Sequence, residues 1–123
     1  MNIEILRNYC LSKPGATEDF PFDETTLVFK VMGKMFALTA LEDEPAVNLK
    51  CNPDKCLELR EQYESVVPGY HMNKKYWNTV YLEGEIPENQ IIQWIDHSYE
   101  LVVNNLTKKQ QEALKNEKES TEH

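Results

Sequence analysis

The residues of this chain best suited to chemistry are its lysines and the rings among them. Thr26 to Leu41 carries Lys30 and Lys34 with no acid, and Val66 to Leu82 carries Lys74 and Lys75 with no acid. Lys50 falls in the alternating run Ala46 to Cys51 between them, and Tyr70, His71, Asn73, Tyr76 and Trp77 surround the second pair. Ammonium groups interleaved with aromatics suit a polyanion, because lysines neutralise phosphates while rings stack on bases. The candidate contacts are therefore Lys30, Lys34, Lys50, His71, Asn73, Lys74, Lys75 and Trp77. The plainer explanation is that lysines on hairpin tips and outward strand faces keep sheet edges soluble. Four or five of them neutralise fewer than the roughly six to ten phosphates of a tight binder. Arginine, which makes the commonest base-specific contact, occurs only as Arg7 and Arg60 on helices. Any nucleic-acid contact is expected to be weak and largely non-specific.

Other chemistries find less support. Asp96, His97 and Ser98 imitate a catalytic relay on paper, but adjacent helical residues point about 100° apart and cannot form one. Cys51 and Cys56 have four residues between them and no second pair, unlike a structural zinc site. His71 also fits a histidine that satisfies turn hydrogen bonds. Glu42, Asp43 and Glu44 read as a solvated turn. No glycine-rich phosphate loop, nucleophile elbow or paired-carboxylate motif occurs. The expectation is a protein that is not an enzyme and needs no metal or cofactor.

Composition bounds the rest. A chain of 123 residues makes one domain. With 41% hydrophobic and 28% charged residues it has apolar mass for a packed core. Its net charge of −8 excludes a uniformly basic surface, so contact with nucleic acid or anionic lipid must be local. No run is long enough for a membrane helix and the start lacks a secretory signal. The odd cysteines Cys10, Cys51 and Cys56 suit reduced, buried thiols. A cytoplasmic monomer is expected, with no membrane partner.

Positioning these residues falls to a succession of short elements. Asn2 to Ser12 has a helical stripe of Ile3, Leu6 and Cys10 and stops at Lys13, Pro14 and Gly15. An acidic loop from Glu18 to Glu24 follows, its Phe20 and Phe22 expected to tuck under the fold. Leu27, Phe29 and Val31 alternate as one strand. Phe36, Leu38 and Ala40 share a face of the next across Gly33, a β-hairpin. Ala46 to Cys51 is a third strand. Asn52 and Pro53 open a helix to about Tyr63, with an Asx cap and a proline at the first helical position. Ser65 to Gly69 reads as a connector, Tyr70 to Lys75 as a short strand or one arm of a second hairpin, and Tyr76 to Leu82 as a strand. After Gly84, Ile91, Ile95, Tyr99, Val102 and Leu106 mark the strongest helix. Residues 1–106 thus form the domain, and 107–123 a polar tail that extends this helix by a turn or two and frays. Phe29, Phe36, Leu38, Leu49, Ile91, Ile95 and Tyr99 are expected to form the core between sheet and helices.

This order, α-β-β-β-α-β-β-α, carries short motifs that together resemble the MmcQ/YjbR family of small bacterial proteins. They are Lys13-Pro14-Gly15-Ala16 with Phe20-Pro21-Phe22; Val28 to Val31 and Gly33 to Ala37; Leu49-Lys50-Cys51; Pro68-Gly69-Tyr70-His71-Met72-Asn73-Lys74 leading to Trp77; and Ser98 to Val102. The resemblance runs from about Lys13 to Leu106. It implies an α+β fold, an antiparallel sheet backed by helices, similar to frataxin-like (CyaY-like) and secretion-chaperone-like domains. It also implies a DNA-binding role through two β-hairpin wings, which fold analogy alone does not establish. The other class left open is a protein-interaction adaptor or chaperone-like module with no nucleic-acid role, favoured by the acidic charge and by aromatic sheet faces able to receive a partner segment.

Overall fold

The computed structural model describes residues 1–121. Its elements are α1 (Ile3–Leu11), β1 (Ala16–Asp19), β2 (Thr26–Val31), β3 (Lys34–Ala40), β4 (Ala46–Lys50), α2 (Pro53–Gln62), β5 (Val66–Pro68), β6 (Trp77–Tyr81), α3 (Glu88–Asn104) and α4 (Lys108–Thr121). The strands form one antiparallel sheet in the order β1-β2-β3-β4-β6-β5. Against one of its faces pack α1, α2 and α3, and Leu27, Phe29, Val31, Phe36, Leu49, Ile91, Ile95 and Tyr99 join in the core there. The class is α+β, an antiparallel sheet backed by helices, as the sequence predicts.

Several local expectations need correction. Leu38 is buried, but with Val28 and Trp77 in a small cluster separate from the helix-side core. The cause is a register shift between Phe29 and Lys30. Ala37 pairs with Phe29 and Met35 with Lys30, so Phe36 is the extra residue of a β-bulge and strict alternation fails across it. Phe36 goes to the helix side and meets Tyr99 edge-to-face at 5.3 Å between ring centroids, while Leu38 goes to the other.

Phe20 and Phe22 do not tuck under the fold; they are 46% and 64% exposed. Ala16–Asp19 is an added edge strand on β2 where a loop is expected, and Val66–Pro68 inside the expected connector pairs with β6. Asn52 makes no side-chain cap bond at α2, although Pro53 does open the helix. Asn2, by contrast, caps α1 by accepting from the Ile5 N–H at 2.8 Å. The tail does not simply extend α3, which ends at Asn104. Thr107 Oγ1 accepts from the Gln110 N–H and Gln110 Oε1 from the Thr107 N–H, both at 3.1 Å, a capping box that starts a new helix. Leu106 and Leu114 return to the core from either side of it. The expected fraying at residues 122–123 lies outside the described residues.

The ladder between β3 and β4 is short, with only Ala37–Leu49 and Leu38–Asn48 in register. Ser98, fully buried on α3, continues it: its hydroxyl donates to the Phe36 carbonyl at 2.6 Å and accepts the Lys50 N–H at 2.9 Å. The neighbouring Asp96 binds Tyr9 and Lys13 of the first helix and its exit. His97 shares neither set of partners, so the Asp96-His97-Ser98 trio diverges.

Candidate nucleic-acid interface

Antiparallel pairing decides which end of the sheet each residue reaches. β2 runs out to a turn at Met32 and Gly33, both at positive φ (49° and 78°), and β3 returns. β4 runs outward again and ends at Lys50, β6 returns from Trp77, and β5 runs outward to Pro68. The β2–β3 tip, the β4–α2 junction and the 69–76 loop therefore share one end. The second hairpin is β5–β6 with residues 69–76 as its tip, which resolves the reading of Tyr70 to Lys75 as neither strand nor arm. The loops holding Asp23, Glu24, Glu42, Asp43, Glu44, Glu83 and Glu85 share the opposite end. The loops and hairpin tips thus separate their charges along the strand axis, while at the lysine end α2 begins with Asp54 in its first turn, which offsets the partial positive charge of the helix N-terminus.

At that end Lys34 is exposed on the first tip, and Lys74 and Lys75 are exposed on the second. Lys50 is half-buried opposite Trp77 in register. Lys30 is less available, since its Nζ sits 3.5 Å from Asp19 Oδ2 on the neighbouring edge strand. Lys74 Nζ reaches the Gly69 carbonyl at 3.4 Å. Lys75 Nζ lies 5.5 Å from the centre of the Tyr76 ring, a cation–π contact.

The remaining candidates have structural duties. Asn73 shapes the second tip, its Oδ1 accepting the Lys75 N–H at 2.9 Å and its carbonyl the N–H groups of Tyr76 and Trp77 at 3.2 and 3.0 Å. His71 has φ +60° and packs against Tyr70 with the rings tilted, 4.0 Å between centroids. Trp77 is only 8% exposed and packs with Val28, Leu38, Met35 and Met72; it braces the sheet face and offers no free ring for stacking. Tyr76, 38% exposed, is the ring available at this end, whereas Tyr70, 68% exposed, lies with His71 along a groove on the sheet face away from the helices.

The hold on the second tip comes from residues that carry no motif in the sequence. Arg60 on α2 donates to Asn78 Oδ1 at 2.7 Å, to the Trp77 carbonyl at 3.3 Å and to the Lys74 carbonyl. Asn78, 2% exposed, passes the link back to α2 by donating to the Cys56 carbonyl at 3.2 Å. A guanidinium and a buried amide thereby fix a lysine-bearing loop to a helix. The only trace of this in sequence is the place of Arg60, four residues after the buried Cys56 and next to the buried Leu59. Arg7 is also engaged, with Glu18 at 2.5 Å.

The face of the sheet away from the helices holds a groove of about 590 Å³ towards the acidic end, bordered by Phe22, Asp23, Glu42, Asp43 and Tyr70. The N–H groups of Thr25 and Thr26, at 2.9 and 2.7 Å, donate to Asp23 and hold its carboxyl below the ordinary range. Among the described residues no group of three or more His, Cys, Asp or Glu side chains is arranged to hold a metal ion. None of the described helices is long and apolar enough to cross a membrane.

Fold and site together define a small α+β domain whose two lysine-tipped hairpins project from one end of an antiparallel sheet. The chain belongs to the YjbR family, whose model matches residues 11–101. It is 39% identical over 115 residues to the uncharacterized protein YjbR of Escherichia coli K12, covering 93% of this chain and 98% of that one. It is also 39% identical over 113 residues to the uncharacterized protein YbdF of Escherichia coli O157:H7, covering 91% of this chain and 93% of that one. The crystal structure of Deinococcus radiodurans protein DR2400 superposes with a TM-score of 0.85 at 40% identity, over 92% of this chain and 87% of that one. A Pseudomonas syringae crystal structure does so at 0.72 and 27% identity, over 82% and 98%.

Proposed function

We propose that the chain is a non-enzymatic binding module that grips the phosphate backbone of DNA with its two-hairpin end. The observation that supports this reading is the gathering of Lys34, Lys50, Lys74 and Lys75 with both hairpin tips at one end of the sheet, away from the acidic loops. Lysines are point charges that recognise phosphate without reading bases; Arg60 is committed within the fold and Arg7 to an exposed pair with Glu18. Contact is therefore electrostatic and indifferent to sequence, with micromolar or weaker affinity at physiological salt.

Fluorescence anisotropy with labelled duplex and single-stranded DNA tests this. Lys34→Ala, Lys74→Ala and Lys75→Ala should each weaken binding alike on all sequences and lower the salt slope by about one. Lys115→Ala, on α4 and outside both hairpins, should leave binding unchanged. No measurable binding to either form at about 50 mM salt, where screening is weak, would refute the DNA reading.

A second reading, a protein-interaction adaptor, is favoured by the aromatic groove with its acidic border at the opposite end. That groove fits a basic peptide by charge. A variant carrying Glu42→Lys and Asp43→Lys should lose such a partner and keep any DNA contact.

A further inference from the structure

A separate cavity of about 320 Å³ opens on the helix-covered side of the sheet, between α2 and α3. That volume is at the lower end of ligand-binding sites. Leu49, Leu59, Val80 and Trp94 give it an apolar lining, which suits a small organic group. Its charged lining is one-sided. Lys50 and Lys55 border it and no carboxylate lines it, in a chain of net charge −8; Glu58, outside the lining, lies 3.8 Å from the Lys55 ammonium in an exposed pair that a ligand anion would compete with. Asn52 also lines it, and with it comes the start of α2, where no side chain caps the free N–H groups.

His97 belongs to the same lining, and its Nε2 is buried without a hydrogen-bond partner, the one such side-chain atom among the described residues. A buried polar atom without a partner costs free energy, which a turn of the ring that brings Nε2 to a ligand in the cavity would recover. Gln93 and Gln90 lie one and two turns before it on α3 and supply amide groups of either polarity.

We propose that this cavity binds a small amphipathic anion, an aryl or short alkyl group bearing a carboxylate or phosphate, its apolar body against Trp94 and Leu59 and its anionic group between Lys55 and His97. The site is distinct from the hairpin tips, sharing with the DNA reading Lys50 and the start of α2.

The test is a ¹H–¹⁵N NMR titration of the full chain with indole-3-acetate and with phenyl phosphate, and with neutral indole-3-acetamide for comparison. Saturable shifts are expected at the Trp94 indole N–H and the Gln90 and Gln93 side-chain amides, with a dissociation constant below about 1 mM and at least tenfold weaker binding of the neutral amide. Whichever anion binds more tightly names the head group. Lys55→Gln, at an exposed position that leaves folding intact, and His97→Gln should each weaken binding about tenfold, while Lys34→Ala should not change it. No saturable shift by about 10 mM, equal affinity for the neutral amide, or parental affinity in both variants would overturn the proposal. DNA binding measured on the same variants keeps the two sites separable, because Lys34→Ala reports on the hairpins alone.

Discussion

Replacing Ser98 with alanine removes one oxygen and leaves two backbone groups without a partner. The hydroxyl donates to the Phe36 carbonyl at 2.6 Å and accepts the Lys50 N–H at 2.9 Å, and both Ser98 and Phe36 are fully buried. No water reaches the carbonyl in compensation. An orphaned buried polar group costs about 1–3 kcal/mol. The carbonyl bears the full penalty and the Lys50 N–H, on a half-buried residue, a partial one. Ser98→Ala should therefore destabilise by about 2–4 kcal/mol. For a chain of this length roughly 4 °C accompanies each kcal/mol, so Tm should fall by about 8–16 °C. Urea unfolding should show the same loss as a lower midpoint at unchanged slope. Ser98→Cys, of similar shape but a poor hydrogen-bonder, should fall between. Hydrogen exchange should quicken first at the Lys50 amide. A Tm for Ser98→Ala within about 2 °C of the parent would show that β3 and β4 close without the hydroxyl.

The other expectations are shorter. Phe36→Ala should cost about 3–5 kcal/mol, the usual range for a buried ring, and a mutant melting within a degree of the parent in calorimetry would mean the bulge is misassigned. Asp23 has its carboxyl held down by Thr25 and Thr26. Its stabilising effect is complete above the unfolded value near pH 4 and is lost as pH falls through the lower folded one. Asp23→Ala should flatten the acid limb of a Tm-against-pH profile, and an unaltered limb would refute the role. Burial pushes the Cys10 thiol up to about 12; its contribution holds below the unfolded value near pH 8.5 and declines as pH rises towards 12. Thiol reagents at pH 8 should accordingly label Cys10 only as fast as the chain unfolds, and rapid labelling of the native protein would contradict its burial.

Elements with a clear period were legible in the sequence. The stripe of Ile91, Ile95, Tyr99 and Val102 becomes the buried side of α3, and Leu27, Phe29 and Val31 face the helices. What could not be read lacked a period. Ala16–Asp19 has a single apolar residue because it is an edge strand with little to bury. Val66–Pro68 is too short to alternate. The displacement of Leu38 to the far side depends on a bulge, which composition does not announce. The capping box at Thr107 and Gln110, which starts a separate helix, goes unread where the tail is judged on its polar composition alone. For the candidate site, the lysines and their hairpins were legible, whereas their meeting at one end follows from strand order, with β4 between the two hairpins. The commitment of Trp77 and Arg60 to internal contacts is likewise a tertiary fact.

The sheet ends in two short strands, β1 on one side and β5 on the other. β5 has three residues and finishes in Pro68, which offers no N–H to a newcomer; β1 carries Glu18 and Asp19, held by Arg7 and Lys30. An incoming strand from another molecule would meet a proline on one border and paired charges on the other, so the long apolar strands stay in the interior of the sheet. Concentrated solutions should accordingly resist growth by strand addition, and the places where fibrils could start are the strands that only unfolding uncovers.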